Sequence, residues 1–202
     1  MSPRKVVRIT EPPNGLIYVP DFITEQEEAE LLSRFGEIEF YDFVLQGVVA
    51  KRKVRHYGYS YEFYSPAVDP ADPFPEWLIS LRDRAAPIAN LHPFQLAQAL
   101  LAKYDPGAGI GWHRDAPAFG PTVVGISFGA SETMRFRREF EDHFEMYKHE
   151  LAARSLYVLS GAARAVWQHS LPPVRTQRYS ITFRTVKENY RRDRPPRSAT
   201  AS

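Results

Sequence analysis

Apolar residues at helical spacing lie mainly in the N-terminal part of the chain, where they predict two helices. Residues 15–20 are typical of a short strand, and Thr24 with Glu27 has the spacing of a capping box that begins a helix. We expect this first helix to end at Gly36. Its core-facing residues are predicted to be Ala29, Leu32 and Phe35.

A second helix is predicted at residues 76–89, directly after a Pro-rich segment. Its apolar residues at helical spacing are Trp77, Leu81, Ala85 and Ile88. Between the two helices, residues 37–64 combine aromatic, β-branched and basic residues in a pattern that indicates one or two hairpins. One face of a single strand is predicted to carry Tyr57, Tyr59, Tyr61 and Phe63.

Beyond Pro93 the pattern changes to short strands separated by turn residues. The first of these strands is predicted to end at Tyr104. The others are predicted at residues 122–129, 133–138, 155–159, 164–167 and 178–186. The charged segment at residues 139–149 is typical of a solvated hairpin tip. This order favours an antiparallel β sandwich or barrel, so that the expected fold class is mainly β (α+β) with two N-terminal supporting helices.

The composition restricts the chemistry more than it identifies a partner. At 202 residues the chain fits one domain, and its formal net charge of +2 means that any basic binding surface must be local. Cysteine is absent, which excludes disulfides, thiol nucleophiles and Cys-based metal sites. No leader-like or bilayer-length apolar segment occurs, so we expect a cytoplasmic enzyme without a membrane partner.

A His-Arg-Asp triplet is the first candidate for chemistry. Residues two apart on an extended backbone face the same side, so His113 and Asp115 could clamp one metal. Two histidines and one carboxylate form the facial triad of non-haem iron(II) oxygenases. For the third ligand, His143 and His149 lie in the predicted hairpin tip, whereas His169 ends an apolar strand that can enter a core. The alternative is a pair of surface residues without a metal.

Two arginines on the last predicted strand are the second candidate. Arg178 and Arg184 are six residues apart, so they face the same side of the strand with their backbones about 20 Å apart. An arginine suits a carboxylate ligand because its planar fork makes paired, charge-assisted hydrogen bonds. The alternative is an exposed edge strand with surface ion pairs.

Three segments together make the chain resemble the AlkB family of nucleic-acid dealkylases. They are Tyr104-Asp-Pro-Gly-Ala-Gly-Ile-Gly-Trp-His-Arg-Asp115, His169, and Arg178-Tyr-Ser-Ile-Thr-Phe-Arg184. Their order and spacing agree with that family, most fully over residues 98–185. The resemblance implies a double-stranded β-helix (jelly-roll) core, which requires residues 98–104 to be extended although residues 94–103 are rich in helix formers.

The resemblance also implies an iron(II)- and 2-oxoglutarate-dependent dioxygenase that consumes O2. The implied iron ligands are His113, Asp115 and His169. The implied contacts to 2-oxoglutarate are Tyr104, Arg178 and Arg184. Arg178 would pair with the distal carboxylate of the cosubstrate, and Arg184 would lie nearer the metal. No protein acid or base is assigned beyond the metal site.

The implied organisation has three parts. An N-terminal extension with a substrate lid would occupy residues 1–92, and the catalytic core would occupy residues 93–187. The Arg- and Pro-rich residues 188–202 are predicted to be a disordered tail.

The implied substrate is an alkylated base of DNA or RNA, single-stranded or flipped out of a duplex, which would be dealkylated with release of formaldehyde, succinate and CO2. Cations and aromatic rings would then hold the strand, and residues 51–61 supply both. The candidates for base contact are His56, Tyr57 and Tyr59. The alternative is that these tyrosines pack on the core sheet. No obligate protein partner is indicated.

Three positions depart from the family pattern. Ala102 stands where an asparagine helps hold the cosubstrate, Pro117 stands where an acidic residue contacts the base, and no tryptophan lies near Arg52. Two other functions therefore remain open: an AlkB-like oxygenase that acts on a protein or small molecule, and a non-catalytic nucleic-acid-binding module. A zinc hydrolase is disfavoured because hydrolysis does not require the paired arginines.

Overall fold

The computed structural model of the chain describes residues 5–45, 48–61 and 67–192. This part of the chain forms two main β-sheets, a two-stranded ribbon and three α-helices, so the prediction of a mainly β fold is confirmed. The helices are α1 (Glu25–Glu37), α2 (Glu76–Ala85) and α3 (Gly161–Ala165). The strands are β1 (Lys5–Arg8), β2 (Leu16–Val19), β3 (Tyr41–Leu45), β4 (Val48–Tyr57), β5 (Tyr59–Tyr61), β6 (Val68–Pro70), β7 (Gln98–Tyr104), β8 (Ile110–His113), β9 (Phe119–Gly129), β10 (Glu132–Phe140), β11 (His143–Leu151), β12 (Leu156–Leu159), β13 (Gln168–Leu171) and β14 (Arg178–Val186).

The two main sheets face each other as the layers of a jelly roll. The major sheet has the strand order β2-β12-β9-β14-β7-β4-β3, and the minor sheet has the order β1-β11-β10-β13-β8. The strands of both sheets pair antiparallel except β1 with β11, which are parallel. Val123 of the major sheet packs against Met134 and Phe136 of the minor sheet. This arrangement is the predicted double-stranded β-helix.

Side-chain alternation along the major sheet separates the main core from the interior between the sheets. On β14, Tyr179, Ile181 and Phe183 pack in the main hydrophobic core. The intervening residues include Arg178 and Arg184, which line a cavity between the sheets. The period-2 pattern of a strand therefore puts the candidate arginines on one face, as predicted.

The two N-terminal helices cover the outer face of the major sheet. Leu78 and Leu81 of α2 and Phe35 of α1 belong to the same core cluster as the β14 residues. Phe35 meets Phe128 of β9 edge to face, with ring centroids 5.1 Å apart. The helices thus support the sheet from the side opposite the cavity.

Helix α1 begins as predicted but buries a different stripe. The Oγ1 of Thr24 accepts a hydrogen bond of 3.1 Å from the Glu27 N–H, which is the expected N-cap, and the helix passes Gly36 by one residue. Its buried residues are Glu28, Leu31 and Phe35 instead of Ala29, Leu32 and Phe35. Phe35 is confirmed and Leu32 is half-buried against the same core, but Ala29 is exposed because the buried Glu28 takes its place in the stripe.

Glu28 is buried because it satisfies groups that lie far away in the sequence. Its Oε1 accepts a 2.8 Å hydrogen bond from the backbone N–H of Gly129, where β9 ends in a positive-φ turn. Its Oε2 lies 3.5 Å from a guanidinium nitrogen of Arg154. One carboxylate therefore ties α1 to the end of β9 and to the connection between β11 and β12.

We expect Glu28→Ala to lower the free energy of unfolding by about 2 kcal/mol, because the Gly129 N–H loses the charged acceptor of its 2.8 Å hydrogen bond. Denaturant unfolding measures this loss. Glu28→Gln keeps an acceptor and should cost less, and Glu30→Ala on the exposed side of α1 should change stability by no more than about 0.5 kcal/mol. Equal stability of Glu28→Ala and Glu30→Ala would contradict the structural role of Glu28.

The predicted strand at residues 164–167 is wrong. Residues 161–165 form helix α3, in which the Val166 N–H donates to the Ala162 carbonyl over 2.9 Å. The alanines of this segment favour a helical turn, and the next strand begins only at Gln168. His169 therefore lies near the start of β13 and does not end a strand.

The hairpin predicted at residues 139–149 is present, but its solvated tip is much shorter than predicted. Strands β10 and β11 continue through most of this segment, and only Glu141 and Asp142 form the turn, with Glu141 at φ 50°. His149 is half-buried, where its ring meets Tyr18 with centroids 4.4 Å apart. The charged residues on one face of β11 made the segment look solvated, although the strand is half-buried.

The extended conformation of residues 98–104 is confirmed against local propensity. Strand β7 pairs with both β4 and β14, so it lies in the middle of the major sheet. Ala99 and Leu101 face the main core, and Leu100 and Tyr104 face the interior between the sheets. Pairing on both edges and burial on both faces outweigh the helix preference of the sequence.

The predicted continuous tyrosine strand is wrong. Strand β4 ends at Tyr57, Gly58 adopts φ 75°, and β5 then pairs with β6 in the separate ribbon. A side chain at Gly58 would have a Cβ 2.1 Å from the Ala97 carbonyl oxygen, so the turn requires glycine. Phe63, the last residue of the predicted alternation, lies outside the described residues.

The N-terminal part contributes strands to the major sheet. Strand β2 pairs with β12, and β3 and β4 extend the sheet beyond β7. The division into an extension (1–92), a core (93–187) and a tail (188–202) stays a prediction. Over the described ranges, none of the helices has the length and apolar character needed to cross a bilayer.

Candidate active site

A cavity of about 460 Å³ lies between the two sheets and is open at one end. Its size is typical of small-molecule sites in proteins. The predicted site residues that line it are His56, Tyr104, His113, Asp115, His169, Arg178 and Arg184. Side chains that are up to about 130 residues apart in the sequence therefore meet in one space.

Strands β8 and β13 bring the two histidines together. His113 and His169 are directly opposite each other in the antiparallel register, with ring centroids 4.3 Å apart. Asp115 follows β8, and its Oδ2 lies 3.9 Å from the Nε2 of His169. The Asp115 side chain is only 4% exposed. The three candidate ligands thus converge in a nearly dry corner of the cavity.

The protonation states of these groups suit a metal. The Nδ1 of His113 lies 2.9 Å from the Gly111 carbonyl oxygen, to which it can only donate, so its Nε2 carries the free lone pair. Burial lowers the pKa of His113 and lowers that of His169 to about 3, which keeps both imidazoles neutral. The Nδ1 of His169 is buried without a hydrogen-bond partner in the described chain.

Asp115 stays ionised although it is buried. Burial alone would raise its pKa, but the guanidinium of Arg184, helped by the neighbouring His169 and His113, holds the pKa well below its usual range. Both the Nε and an Nη of Arg184 lie 2.9 Å from Oδ1 of Asp115. Two neutral imidazoles and one carboxylate are the donor set of the iron(II) facial triad, so the residues fit that metal.

The three side chains lie near one another, but they are not as close together as the ligands of a bound metal. In the described part of the chain, no three His, Asp or Glu side chains come close enough together to form an assembled metal-binding group. The Oδ1 of Asp115 is occupied by Arg184, and its Oδ2 is the oxygen that lies towards His169. The chemistry of the donor set and its burial carry the assignment of a metal site.

Arg178 lies on the cavity wall as a buried cation. It is 2% exposed, and one Nη donates a 2.8 Å hydrogen bond to the Oγ of Ser127. Its guanidinium carbon lies 5.3 Å from the ring centroid of Tyr104, its direct register partner on β7. Its Nε has no hydrogen-bond partner, and no carboxylate pairs with it among the described residues. A buried charge in this state is strongly stabilised by an anionic ligand.

Arg184 lies on the same strand, at the end that contacts Asp115. Besides Asp115, it reaches the Oε1 of Gln98 at 3.3 Å and lies 4.6 Å from the ring centroid of Phe119. Because both Asp115 and Arg184 are largely buried, the pair fixes the orientation of the carboxylate. Arg184 is therefore placed to orient the carboxylate of the candidate ligand Asp115.

The three candidates for base contact lie in different environments. His56 lines the cavity, whereas Tyr57 is buried in the main core, 6.4 Å from Trp77 by ring centroids. Tyr59 lies under Arg191, with the guanidinium carbon 5.4 Å from its ring centroid, and is not on the cavity wall. The break in the strand at Gly58 accounts for this separation.

Sequence reasoning missed several residues of the cavity wall. They are Arg52, Tyr61, Tyr157, Ser180 and Thr182. Tyr61 was grouped with the other tyrosines but not selected, and Ser180 and Thr182 alternate with the arginines of β14, which was a usable signal. Tyr157 reaches the wall because Gly125 opposite it has no side chain; a Cβ there would lie 2.1 Å from the Tyr157 ring.

The positions that depart from the family pattern lie on the cavity wall. Ala102 and Pro117 both line the cavity, as does Arg52, which is 8% exposed. Trp112, on the edge strand β8, is also a lining residue, whereas Trp167 is packed in the core between the sheets. The substituted positions therefore face whatever molecule occupies the cavity.

Burial lowers the pKa of His56 from 6.5 to about 4, with Arg184 and Arg52 adding to the effect. Between these pH values the unfolded chain binds a proton that folded His56 rejects, so the free energy of unfolding falls as the pH is lowered. The part due to His56 is at most about 3 kcal/mol. His56→Phe should remove that part in denaturant unfolding measured at about pH 7 and about pH 4.

His92 provides the matched control for this measurement, because it is exposed. The His92→Phe variant should keep the pH dependence of the wild-type protein. An unchanged pH dependence in His56→Phe would show that His56 titrates normally in the folded chain.

The fold and the cavity define a class of protein. A double-stranded β-helix with two histidines, a buried carboxylate and a buried arginine around one cavity is the arrangement of a non-haem iron oxygenase that takes an anionic cosubstrate. Residues 15–184 match the model of the 2OG-Fe(II) oxygenase superfamily, and the chain belongs to that family. The chain is therefore a 2-oxoglutarate-dependent dioxygenase, and the family implies Fe(II), 2-oxoglutarate and O2.

Similar proteins place the chain among the AlkB-like members. It is 28% identical over 197 residues to "Uncharacterized protein L905" of Acanthamoeba polyphaga mimivirus, with 89% of each chain covered. It is 29% identical over 165 residues to "tRNA (carboxymethyluridine(34)-5-O)-methyltransferase alkbh8" of Xenopus tropicalis, with 80% of this chain covered. It is 27% identical over 130 residues to "Probable RNA/DNA demethylase ALKBH6" of Danio rerio, with 64% of this chain covered.

The matched part is only a portion of some relatives. The alignment spans 26% of the Xenopus protein and 53% of the Danio protein. Among solved structures, OsALKBH1 superposes with a TM-score of 0.68 at 16% identity, covering 88% of this chain and 99% of that one. This structural likeness supports the jelly-roll fold.

Proposed function

We propose that this chain oxidatively removes alkyl groups from bases of DNA or RNA. The observation that carries the proposal is one cavity lined by the His-Asp-His corner, by the buried cation Arg178 and by the aromatic residue Trp112. The names of the Xenopus and Danio relatives refer to tRNA and to RNA/DNA demethylation, which supports a nucleic-acid substrate.

In this proposal the predicted site residues have separate roles. His113, Asp115 and His169 hold Fe(II), and Arg184 orients the Asp115 carboxylate. Arg178, with Tyr104 beside it, receives the distal carboxylate of 2-oxoglutarate. When bound, iron, O2 and 2-oxoglutarate supply the oxidation of a substrate C–H bond, and the cosubstrate leaves as succinate and CO2.

The chain itself binds, orients and desolvates the reactants. Its buried walls exclude water from the ligand corner, and the neutral His56 and Tyr61 line the space next to it. An N-methyl group whose C–H becomes C–OH then loses formaldehyde as the C–N bond breaks and the base nitrogen takes up the proton. A base reaches this buried site only when it is single-stranded or flipped.

The proposal is tested by supplying Fe(II), 2-oxoglutarate and O2 with a panel of N-methylated DNA and RNA oligonucleotides. We expect formaldehyde and succinate in equal amounts from at least one of them, with loss of the methyl group shown by mass spectrometry. The His113→Ala variant should form neither product.

Methylated peptides and small N-methyl metabolites complete the panel, because Pro117 and Ala102 change the wall that contacts the substrate. Turnover of a peptide or metabolite together with no reaction on any oligonucleotide would overturn the nucleic-acid assignment. It would leave the assignment to the oxygenase family intact.

A further inference from the structure

Over the described residues, the outer face of the minor sheet carries more cations than carboxylates, which are Glu139 and Glu150. On β10, Met134 and Phe136 point into the core between the sheets, so Arg135 and Arg137 project from the opposite face. Directly opposite residues on paired strands share a face, and Lys148 of β11 is the register partner of Arg135. Arg8 of β1 joins them, because it and Arg137 are both register partners of Met146.

The two arginines are fixed in place by neighbouring side chains. The Nε of Arg135 donates to the Oγ of Ser170 over 3.1 Å, and the Nε of Arg137 donates to the Oε1 of Gln168 over 2.8 Å. Their guanidinium carbons lie 5.2 Å and 4.5 Å from the ring centroid of Trp112. Both guanidinium groups are therefore preorganised, and among the described residues their terminal N–H groups have no hydrogen-bond acceptor.

The positive charges of this face are not neutralised by ion pairs in the described part of the chain. Arg135, Arg137, Lys148 and Arg8 form no ion pair within the described ranges of the chain. Glu139 acts on Arg137 only at longer range. Like charges directly opposite on paired strands destabilise a sheet, and Arg135 faces Lys148 in this way. A face that keeps such a pair at a cost in stability is suited to an external polyanion.

The cationic face is continuous with the cavity. Trp112, on which both arginines stack, is also one of the residues that line the cavity, and it directly precedes His113. Arg137 also lies 5.1 Å from the ring centroid of Phe144, so its guanidinium lies between two aromatic rings. From β8 to β1 the sheet is about 19 Å wide at the usual strand spacing, which spans several nucleotides.

We propose that this face binds the sugar-phosphate backbone of a single-stranded nucleic acid next to the base that enters the cavity. We call it the basic face and define it by Arg8, Trp112, Arg135, Arg137, Phe144 and Lys148. The arginine forks match phosphate oxygens, and the aromatic rings offer surfaces on which bases can stack. The inference rests on the proposed function and adds where the flanking strand lies.

The test is fluorescence anisotropy of the full chain with an unmodified, labelled single strand of about 15 nucleotides, DNA or RNA. The logarithm of the binding constant should fall linearly with the logarithm of salt concentration. Because each cation contributes about 0.7 to that slope on a single strand, Arg135→Gln/Arg137→Gln should reduce the slope by about 1.4. Its affinity at low salt should fall by about tenfold or more.

A matched control removes the same charge from the opposite side of the molecule. Arg34 of α1 and Arg84 of α2 lie on the helices that cover the major sheet. The Arg34→Gln/Arg84→Gln variant should keep the wild-type slope and bind within about twofold of the wild-type affinity. An equal loss in both double variants would mean that net charge alone drives binding, and would overturn the proposal.

Lys148→Glu gives a readout that a folding defect cannot imitate. It replaces a repulsive cross-strand pair by an attractive one, so the melting temperature should rise by about 1–3 °C. The affinity for the oligonucleotide should fall at the same time. A variant that is less stable, or that binds as well as the wild-type protein, would contradict the assigned role of this face.

The remaining outcomes separate this inference from the proposed function. Wild-type slope and affinity in Arg135→Gln/Arg137→Gln would overturn the basic face, even if methylated oligonucleotides are turned over. No binding by the wild-type chain, or equal binding of a poly-glutamate peptide of the same charge, would also overturn it. The predicted binding without turnover of any oligonucleotide would overturn only the dealkylase assignment.

Discussion

The Arg178→Gln variant is expected to need about a hundredfold more 2-oxoglutarate for half-maximal succinate formation, because truncating one partner of a buried charge pair costs about 2–5 kcal/mol. Arg178 is 2% exposed and has no carboxylate partner in the described chain, so in the proposed function the distal carboxylate of 2-oxoglutarate would be its counter-charge. Glutamine keeps a hydrogen-bond donor near Ser127 while it removes the charge. The measurement is succinate formation as a function of 2-oxoglutarate concentration.

Arg175 supplies the control, since it is an exposed cation only three residues earlier in the chain. The Arg175→Gln variant should keep the wild-type dependence on 2-oxoglutarate. Arg178→Lys should lie between Arg178→Gln and the wild-type protein, because lysine restores the charge but not the planar fork. A wild-type requirement in Arg178→Gln would remove this residue from the cosubstrate site.

The Asp115→Asn variant is expected to lose iron affinity by more than about a hundredfold, since even outer hydrogen-bond partners of metal ligands change affinity by 10–100-fold. The replacement keeps the shape of the side chain but removes the charge that Arg184 holds at 2.9 Å. Succinate formation should fall with the loss of iron. Anaerobic titration with Fe(II) measures the affinity directly.

Asp83→Asn on the exposed side of α2 removes the same charge far from the cavity and should bind iron as the wild-type protein does. Circular dichroism of both variants verifies that the fold is retained. If Asp115→Asn retained wild-type iron affinity, Asp115 would serve only to pair with Arg184.

The candidate site could largely be predicted because its chemistry is local in sequence. His113 and Asp115 are two residues apart, and Arg178 and Arg184 are six apart on one strand, so strand geometry alone directs each pair to one side. That the two pairs and His169 share one cavity depends on strand pairing, for example His113 opposite His169. The expectation that these residues share one cavity came from the family resemblance and not from the residue pattern.

The errors also have physical causes. Residues 164–167 were predicted as a strand from apolar content, but the alanines of α3 form a helical turn there. Glu28 was not placed in the core because its partners, Gly129 and Arg154, are about 100 residues away in the sequence. Local patterns do not show which polar residues find buried partners through the tertiary fold.

The substrate side was the least predictable part of the cavity. The tyrosines of residues 57–61 alternate in the sequence, yet the positive φ of Gly58 sends Tyr57 into the core and Tyr61 to the cavity wall. A glycine between two strand-like segments is compatible with a strand, a bulge or a turn. The turn is identified only in the tertiary structure, where Gly58 lies so close to Ala97 that no side chain fits.

The most direct test of the account is an anaerobic titration of the chain with Fe(II) followed by 2-oxoglutarate, monitored through the visible charge-transfer band. We predict one iron per chain, a band that appears only with both ligands, its loss in His113→Ala and its retention in His92→Ala. Wild-type behaviour of His113→Ala, or no band in the wild-type chain, would contradict the claim that this cavity holds iron and the cosubstrate together.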